Sequence, residues 1–416
     1  MIKSASITFA ATALLSTTLL AATTEQSPVM SAMMREMTEL GDLLQQKHAV
    51  LEPVASSNMT AVIIKAIDPY AEILSKEQAE RRADEERGGF YGIGASLSVK
   101  NNLPIVTETL KAGPAAEAGI KPGSFIEKID DRKTSGMPLE NIVSLLRGAK
   151  DTSVKISIRS GDKNEVTNEF TLKRSLIQMP VTGVTEDWPY QIRYMKVNGL
   201  YGNSGLQIST QMLSWAEGKC SGIILDLRNA DGCDLESAAE TAGLFAPAEA
   251  PLFNVRDGSG ALINSYKNKS AKNVKMLVMA LINRNTSGAA ETLAAALGAD
   301  KDILLIGEPT RGDACLREAV PLPDGRIIYL ATRKIEMLRG MPYQGAGVIP
   351  QVAVAQTDEA VKAEESSWND ENGIPQKLSE QEKDDRALMR RTRNDAVLQR
   401  AVDILLGLKA LSIKGL

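Results

Sequence analysis

The sequence contains a single histidine, His48, in 416 residues. A zinc site built on two or more imidazoles is therefore excluded, and a His-based Ser or Cys triad has only that ring to use. Cysteine is also scarce, because Cys220, Cys233 and Cys315 are too few and too scattered for a zinc cage and allow at most one disulfide. We expect no metal and no other cofactor.

A surplus of positive charge is absent as well. Lys and Arg number 48 against 52 Asp and Glu, which gives a net charge of −4. Nucleic acid and anionic membrane surfaces are therefore not expected partners. With 43% hydrophobic residues and this length, the chain is predicted to fold into two or three domains with cores of ordinary size.

Long apolar runs are missing apart from residues 5–20, which follow Lys3 and end at the small pair Ala21 and Ala22. This pattern is typical of a secretory signal peptide over residues 1–22, and several Ser and Thr in the run distinguish it from a membrane anchor. We therefore expect a periplasmic or secreted protein with no membrane span after signal cleavage.

Residues 23–87 are predicted to form a helical N-terminal segment. They are rich in Met, Leu, Glu and Gln, and Met37, Leu40 and Leu44 recur at helical spacing. The end of the segment, residues 75–87, is dense in charge of both signs, which predicts a solvated helix face with no assigned role.

Residues 88–175 are predicted to form a small β-rich domain with two helices. Glycines punctuate short alternating strands, and Gly113-Pro114 and Gly119 fit the start and end of the first helix. On the second helix, apolar residues recur at i, i+3, i+4 and i+7, at Leu139, Ile142, Val143 and Leu146.

Residues 176–355 alternate strand and helix, which predicts a layered α/β core and makes the fold class multidomain α/β. Residues 356–416 are predicted to be a linker and a closing C-terminal helix over 395–411. The expected elements of the core are strands at 192–197, 222–227, 276–282 and 303–306 and helices at 204–217, 235–245 and 288–297.

Five short motifs occur in a specific order and spacing. They are Tyr-Gly-Ile-Gly at 91–94, Ala-Gly-Ile-Lys-Pro-Gly at 118–123, Leu-Leu-Arg-Gly at 145–148, Leu-Asp-Leu-Arg-Asn at 225–229 and Gly-Glu-Pro-Thr at 307–310. With them, most of the chain resembles the C-terminal processing (tail-specific) serine peptidases that carry a PDZ domain. The resemblance implies a PDZ domain at 88–175 and a peptidase core of the ClpP/crotonase α/β type at 176–355.

A PDZ domain binds the C-terminus of a protein or peptide as an added strand. The resemblance implies that backbone N–H groups of a glycine-rich loop hold the terminal carboxylate, while an apolar pocket beside the second helix takes the last side chain. The implied loop residues are Tyr91, Gly92, Ile93 and Gly94, and the implied pocket residues are Leu139, Ile142, Val143 and Leu146.

The catalytic positions of the family are occupied by other residues here. The family nucleophile is the middle Ser of a Ser-Ala-Ser-Ala-Ser-Glu run, but residues 286–291 read Thr-Ser-Gly-Ala-Ala-Glu and place Gly288 there. The family base, a Lys 25 residues later, and the Gln four residues beyond it correspond to Asp313 and Arg317. Glycine has no oxygen with which to attack a carbonyl, and arginine does not deprotonate.

The loop that, by the resemblance, would form an oxyanion hole also differs from the family pattern. The family has Asn-Pro-Gly-Gly where residues 230–233 read Ala-Asp-Gly-Cys, so a glycine has become Cys233. From this resemblance we expect Cys233 and Cys315 to meet across the former active site. Two alternatives stay open there: a disulfide between them with Cys220 free, or three unpaired cysteines.

These observations predict a pseudopeptidase that binds protein C-termini as an adaptor or regulator, pairing with itself or with an active peptidase relative. An alternative is an active serine endopeptidase that uses Ser287, or a Cys, as a non-standard nucleophile, with His48 as the one ring able to assist. A third possibility is a structural envelope protein whose PDZ groove is filled by its own chain.

Overall fold

The computed structural model describes residues 64–66, 68–160, 167–178, 181–270, 274–322, 325–355 and 379–410. The chain divides into two compact units, Met1–Pro69 and Tyr70–Leu416. In the first unit, residues 64–66 are helical. The predicted signal peptide, His48 and the predicted linker up to residue 378 lie outside the described residues. None of the described helices is both long and apolar enough to cross a membrane.

The first part of the second unit is β-rich and contains a small domain with its own apolar core. Its elements are β1 (Glu72–Leu74), α1 (Lys76–Glu86), β2 (Gly89–Gly92), β3 (Ala95–Lys100), β4 (Leu103–Thr109), α2 (Pro114–Glu117), β5 (Ser124–Ile129), β6 (Arg132–Lys133), α3 (Leu139–Leu146), β7 (Ser153–Ser160), β8 (Thr167–Lys173) and β9 (Ser175–Gln178). The main sheet has the order β3-β4-β5-β7-β8, with β6 beside β5, and β2 pairs separately with β9. Strand β3 therefore lies at a sheet edge.

The rest of the unit is an α/β core. Its elements are β10 (Thr182–Trp188), β11 (Ile192–Val197), β12 (Gly199–Leu200), α4 (Ser204–Glu217), β13 (Gly222–Asp226), β14 (Asp231–Gly232), α5 (Leu235–Gly243), β15 (Pro251–Asp257), β16 (Leu262–Lys267), β17 (Val278–Ile282), α6 (Gly288–Leu297), β18 (Ile303–Gly307), β19 (Cys315–Pro321), β20 (Ile327–Met337), β21 (Val352–Ala353), α7 (Glu380–Thr392) and α8 (Ala396–Ala410).

The main core sheet has the order β10-β11-β13-β17-β18-β21 and is parallel except for the β10–β11 pair. Every residue of β13 and β17 is buried, because helices cover both faces of the sheet. Helices α4, α5 and α6 pack on one face, and α7 and α8 pack on the other. This arrangement confirms the predicted α/β class.

A second, antiparallel sheet of order β1-β20-β15-β16 joins the core, with β19 also paired to β20. The sequence analysis did not predict this sheet. Strand β1 lies inside the segment that was expected to be helical, because it pairs with β20 from Glu72↔Tyr329 to Leu74↔Ile327. Strand β9 pairs with β2 and extends the small domain to Gln178, beyond the predicted boundary at residue 175.

Candidate functional site

A cleft of about 350 Å³ lies where helix α6 begins, at the carboxyl ends of the parallel strands β17 and β18. The carboxyl ends of parallel strands are where ligand sites of α/β proteins form. The cleft brings together the residues that the sequence analysis singled out on separate segments, which are Gly232, Cys233, Ser287, Gly288, Asp313, Cys315 and Arg317.

Gly288 occupies a backbone position that only glycine adopts easily. Its φ is +58°, in the left-handed region that costs a residue with a Cβ about 1–2 kcal/mol. A Cβ placed there would lie 2.2 Å from the carbonyl oxygen of Gly232. Residue 288, which the sequence analysis assigned to the nucleophile position, therefore has no room for a side chain while Gly232 stays where it is.

Ser287, the neighbouring residue, precedes α6 and is 4% exposed. Its amide donates to the carbonyl of Ala230 at 3.0 Å, and its side chain makes no hydrogen bond that caps the helix. Ser287 lines the cleft together with Asp313, the residue that the sequence analysis assigned to the position of the family's Lys.

The loop between β13 and β14 is fixed against the start of α6 by amide side chains. Asn229, at φ +60°, donates its backbone N–H to Asn283 Oδ1 at 3.0 Å and accepts from Asn283 Nδ2 at 2.9 Å. The Thr286 hydroxyl donates to the carbonyl of Leu227 at 2.8 Å. These bonds hold the Gly232 carbonyl against Gly288.

Asp313 and Arg317, the residues that the sequence analysis assigned to the family's Lys and Gln positions, form an ion pair with each other. Both Arg317 Nη atoms donate to the Asp313 carboxylate, one of them to Oδ1 at 3.1 Å. The side chains are 8% and 10% exposed, respectively, and the Arg317 guanidinium also lies 5.4 Å from the Tyr70 ring centroid. A bidentate, largely buried pair of this kind holds both charged groups in place, so neither is free to act as a base.

Glu291, in the first turn of α6, is fully buried. It accepts hydrogen bonds from the Thr310 hydroxyl and from the backbone N–H groups of Gly312 and Asp313, at 2.5 and 3.1 Å for the two N–H groups. Burial nevertheless raises the pKa of Glu291 above its ordinary value. The carboxylate anchors the segment that carries Asp313.

Helix α1 supplies cleft residues that the sequence analysis missed. Arg82, Glu85 and Glu86 line the cleft, although they belong to the charged run that was predicted to be only a solvated face. Tyr329 donates its hydroxyl to Glu86 and lies under the Arg82 guanidinium at 5.2 Å. Their position depends on contacts across more than 200 residues, so only the dense charge of the run pointed to them.

None of the three cysteines, all of which lie in the described part of the chain, forms a disulfide. Cys233 and Cys315 line the same cleft, as expected, and the disulfide that was one alternative for them is not formed there. The Cys233 thiol donates to the carbonyl of Glu86 at 3.1 Å, and the Cys315 thiol contacts Gln344 Oε1 at 3.6 Å. Each thiol is therefore engaged by a different segment.

Cys233 is expected to be a slow nucleophile. Desolvation in the cleft, followed by the nearby carboxylates of Glu86, Asp234 and Asp231, raises its pKa to about 11. At pH 8.5 its thiolate fraction is then roughly a hundredfold below that of an ordinary thiol with a pKa of about 8.5. Alkylation by iodoacetamide, followed by peptide mass spectrometry with glutathione as the reference thiol, should show a rate that still rises between pH 9 and 10.5. A rate that levels off near pH 8.5 would contradict this and favour a reactive cysteine.

No group of three or more His, Cys, Asp and Glu side chains in the described part of the chain is arranged to hold a metal ion. The charged side chains of the cleft instead pair with one another, as Arg147 does with Glu85 at 3.5 Å.

The small domain presents a second candidate site between β3 and α3. Edge strand β3 has half-buried Ala95 and Leu97 facing the apolar core and exposed Ser96 and Ser98 on its other side. The carbonyls of Ile93 and Gly94 are bonded to Ala115 and Leu110, and Gly94 has φ +71°. Tyr91 and Gly92 of the predicted carboxylate loop lie in β2 and pair with Leu176 and Ser175. Ile93 and Gly94 connect β2 to the edge strand β3, a position that fits strand addition.

The four predicted pocket residues of α3 divide into two pairs. Ile142 and Leu146 are 0% and 5% exposed and belong to the domain core, because a helix buries the side of its apolar stripe that faces the sheet. Leu139 and Val143 are half-buried and remain the residues of the four that can flank a bound side chain.

Sequence comparisons agree with this domain order. Residues 105–160 match the PDZ domain, and residues 191–354 match Peptidase family S41. The carboxy-terminal processing protease CtpA of Bacillus subtilis is 29% identical over 293 residues, which cover 70% of this chain and 62% of that protein. The carboxyl-terminal-processing protease of Synechocystis is 29% identical over 325 residues, covering 76% of this chain and 75% of that protein. The chain spans only about six tenths of the length of the first curated relatives it matches.

The fold is also found in a solved structure from Bacteroides fragilis described as an S41 protease. It superimposes with a TM-score of 0.50 at 16% identity and covers 87% of this chain and 93% of that one. At this identity the likeness concerns the fold. The two sequence matches place a PDZ domain ahead of a peptidase family S41 domain in this chain.

Proposed function

We propose that this S41 family member binds protein C-termini through its PDZ domain and does not cleave peptide bonds. The observation that carries the proposal is the set of residues that line the cleft. Among them, Gly288 has no nucleophilic atom and Asp313 is ion-paired with Arg317. Loss of the nucleophile of a serine peptidase lowers kcat by about 10⁶. With both the nucleophile and the base replaced, binding is the activity that the remaining residues support.

We further propose that residues 1–22 direct export, so that the protein acts in the periplasm or outside the cell as an adaptor or regulator, paired with itself or with an active relative. The basis is the apolar run after Lys3, together with a net charge that does not favour nucleic acid.

A second candidate function, endopeptidase activity through Ser287, is favoured by one observation. Ser287 lines the cleft, and its side chain does not cap α6; in addition, the relatives described above are named as proteases. Its weakness is the base, because the residue 25 positions after Gly288 is Asp313 and is ion-paired.

The two functions are separated by one assay on the purified protein. An unfolded substrate such as β-casein is incubated with the protein, with B. subtilis CtpA as positive control, and binding of a fluorescent peptide ending in Val with a free carboxylate is measured by anisotropy. We expect saturable binding and no cleavage above background. Cleavage that disappears in Ser287→Ala would overturn the proposal in favour of the endopeptidase, and absence of both activities would favour a purely structural protein.

A further inference from the structure

Arg174 is a buried cation that the proposed function has not used. It is 8% exposed and forms no salt bridge within the described residues. Burial lowers the pKa of Arg174, with Asp130 acting weakly in the opposite direction, and an arginine stays protonated at neutral pH all the same. Burial of an unpaired charge is costly unless hydrogen bonds compensate for it.

The hydrogen bonds of Arg174 converge on the end of α3. Nε donates to the carbonyl of Leu146 at 3.0 Å, and one Nη donates to the carbonyl of Leu145 at 2.9 Å. The other Nη donates to Thr152 Oγ1 at 3.0 Å and to the carbonyl of Ser153 at 2.9 Å. The last carbonyls of a helix lack partners within the helix and carry its negative dipole end. Arg174, which lies between β8 and β9, therefore caps α3.

The same residue is also connected to the predicted carboxylate loop. Ser175, which follows it, pairs with Gly92 in the β2–β9 ladder. The Gly148 amide donates to the carbonyl of Tyr91 at 3.2 Å. A Cβ on Gly148 would lie 2.7 Å from Arg174 Nε, so the guanidinium fills the space beside that turn. Arg174 thus contacts both the end of α3 and the turn that holds the first loop residue.

We propose that Arg174 is a positioning residue for peptide binding, which holds the end of α3 and residues 91–94 in the placement that lets the loop amides bind a terminal carboxylate. The inference rests on the proposed PDZ function. A lysine would not replace it, because one ammonium group cannot span the carbonyls that the planar guanidinium reaches.

The experiment compares a fluorescent peptide ending in Val as the free acid with the same peptide amidated at its C-terminus. We expect the wild-type protein to prefer the free acid by about tenfold to a hundredfold, the range of hydrogen bonds to a charged group. In Arg174→Lys the preference should fall at least about fivefold, because the loop amides are no longer held in place. Gly148→Ala keeps the arginine but displaces its guanidinium, and it should reduce the preference in the same direction.

Lys173→Met is the matched control, since Lys173 is the neighbouring residue and forms only an exposed pair with Asp151. It should leave the preference unchanged, and circular dichroism confirms that each variant is folded at the assay temperature. If Arg174→Lys weakens the binding of both peptides equally and preserves the preference for the free acid, Arg174 has only a general structural role and the inference is overturned. If the wild-type protein binds neither peptide, the proposed function itself fails, and this inference fails with it.

Discussion

Arg228→Met is expected to lower the free energy of unfolding by about 3–5 kcal/mol, the range measured when one member of a buried ion pair is removed. Arg228 is 6% exposed and lies between the carboxylates of Asp226 and Asp395, which are 0% and 3% exposed. Its Nη2 is 2.6 Å from Asp226 Oδ2 and 2.7 Å from Asp395 Oδ2. Without the guanidinium, two carboxylates remain buried with no cation between them.

The cluster of Arg228, Asp226 and Asp395 connects several elements of the fold, so its loss should affect more than one contact. Tyr194 donates to Asp226 at 3.0 Å from the neighbouring strand. Asp395 accepts from the backbone N–H of Leu398 at 2.9 Å and so caps α8. Arg228 itself begins the loop that carries Gly232. The cluster therefore ties the C-terminal helix, the central sheet and the cleft loop together.

Urea unfolding followed by circular dichroism would measure the effect. Lys269→Met is the control, because Lys269 pairs with Glu236 at 2.6 Å but both side chains are largely exposed, and exposed pairs contribute at most about 1 kcal/mol. The loss of stability in Arg228→Lys should lie between those of the two other variants, since lysine keeps the charge but cannot bridge both carboxylates. A loss below about 1 kcal/mol in Arg228→Met would show that the buried cluster contributes little to stability.

Gly288→Ser, which places a hydroxyl at the predicted nucleophile position, is expected to destabilise the protein by about 2–5 kcal/mol. The estimate adds the cost of a side chain at positive φ, about 1–2 kcal/mol, to overpacking of about 1–3 kcal/mol. The overpacking arises because the new Cβ would lie 2.2 Å from the Gly232 carbonyl oxygen. The loop must move before a serine fits.

Two other glycines separate these contributions. Gly119 has φ +79° and open space around its Cβ position, so Gly119→Ser measures the backbone cost alone. Gly258 has open space and no positive φ, so Gly258→Ser should change stability by less than about 0.5 kcal/mol. Thermal and urea unfolding of the three variants should rank Gly288 above Gly119 above Gly258. If Gly288→Ser destabilises the protein no more than Gly119→Ser does, the Gly232 carbonyl moves aside at little cost. The close approach of this carbonyl would then not prevent a side chain at residue 288.

The local spacing of apolar residues was sufficient to predict buried strands and helices of the core. Strand β11 and helices α4 and α6 have the predicted bounds, because their apolar residues repeat with the period of the element that buries them. Strand β16 was missed, since five of its six residues are exposed and give no alternation. Strands β19 and β20 were missed as well, because most of their residues are half-buried and show no alternation of buried and exposed positions.

The site was predictable in part for a similar reason. Spacing from Glu291 placed Gly288 and Asp313 at the family's catalytic positions, and the structure places both in one cleft. Arg82 and Tyr329 could not be found, because they reach the cleft only when β1 pairs with β20 and brings α1 alongside. Cys233 and Cys315 both line the cleft, and of the two alternatives left open for them the structure shows separate partners for each thiol and no bond between them.

The sequence by itself determined which atoms are available, since a glycine at 288 has no nucleophile and an aspartate at 313 is not a lysine in any conformation. Only the tertiary structure decided what those residues do. It places the Gly232 carbonyl against Gly288, locks Asp313 to Arg317, and sets Arg174 against the end of α3. The physical reason is that the chemistry of a side chain is fixed by its identity, whereas the distances that make it reactive, paired or buried depend on contacts between segments far apart in the chain.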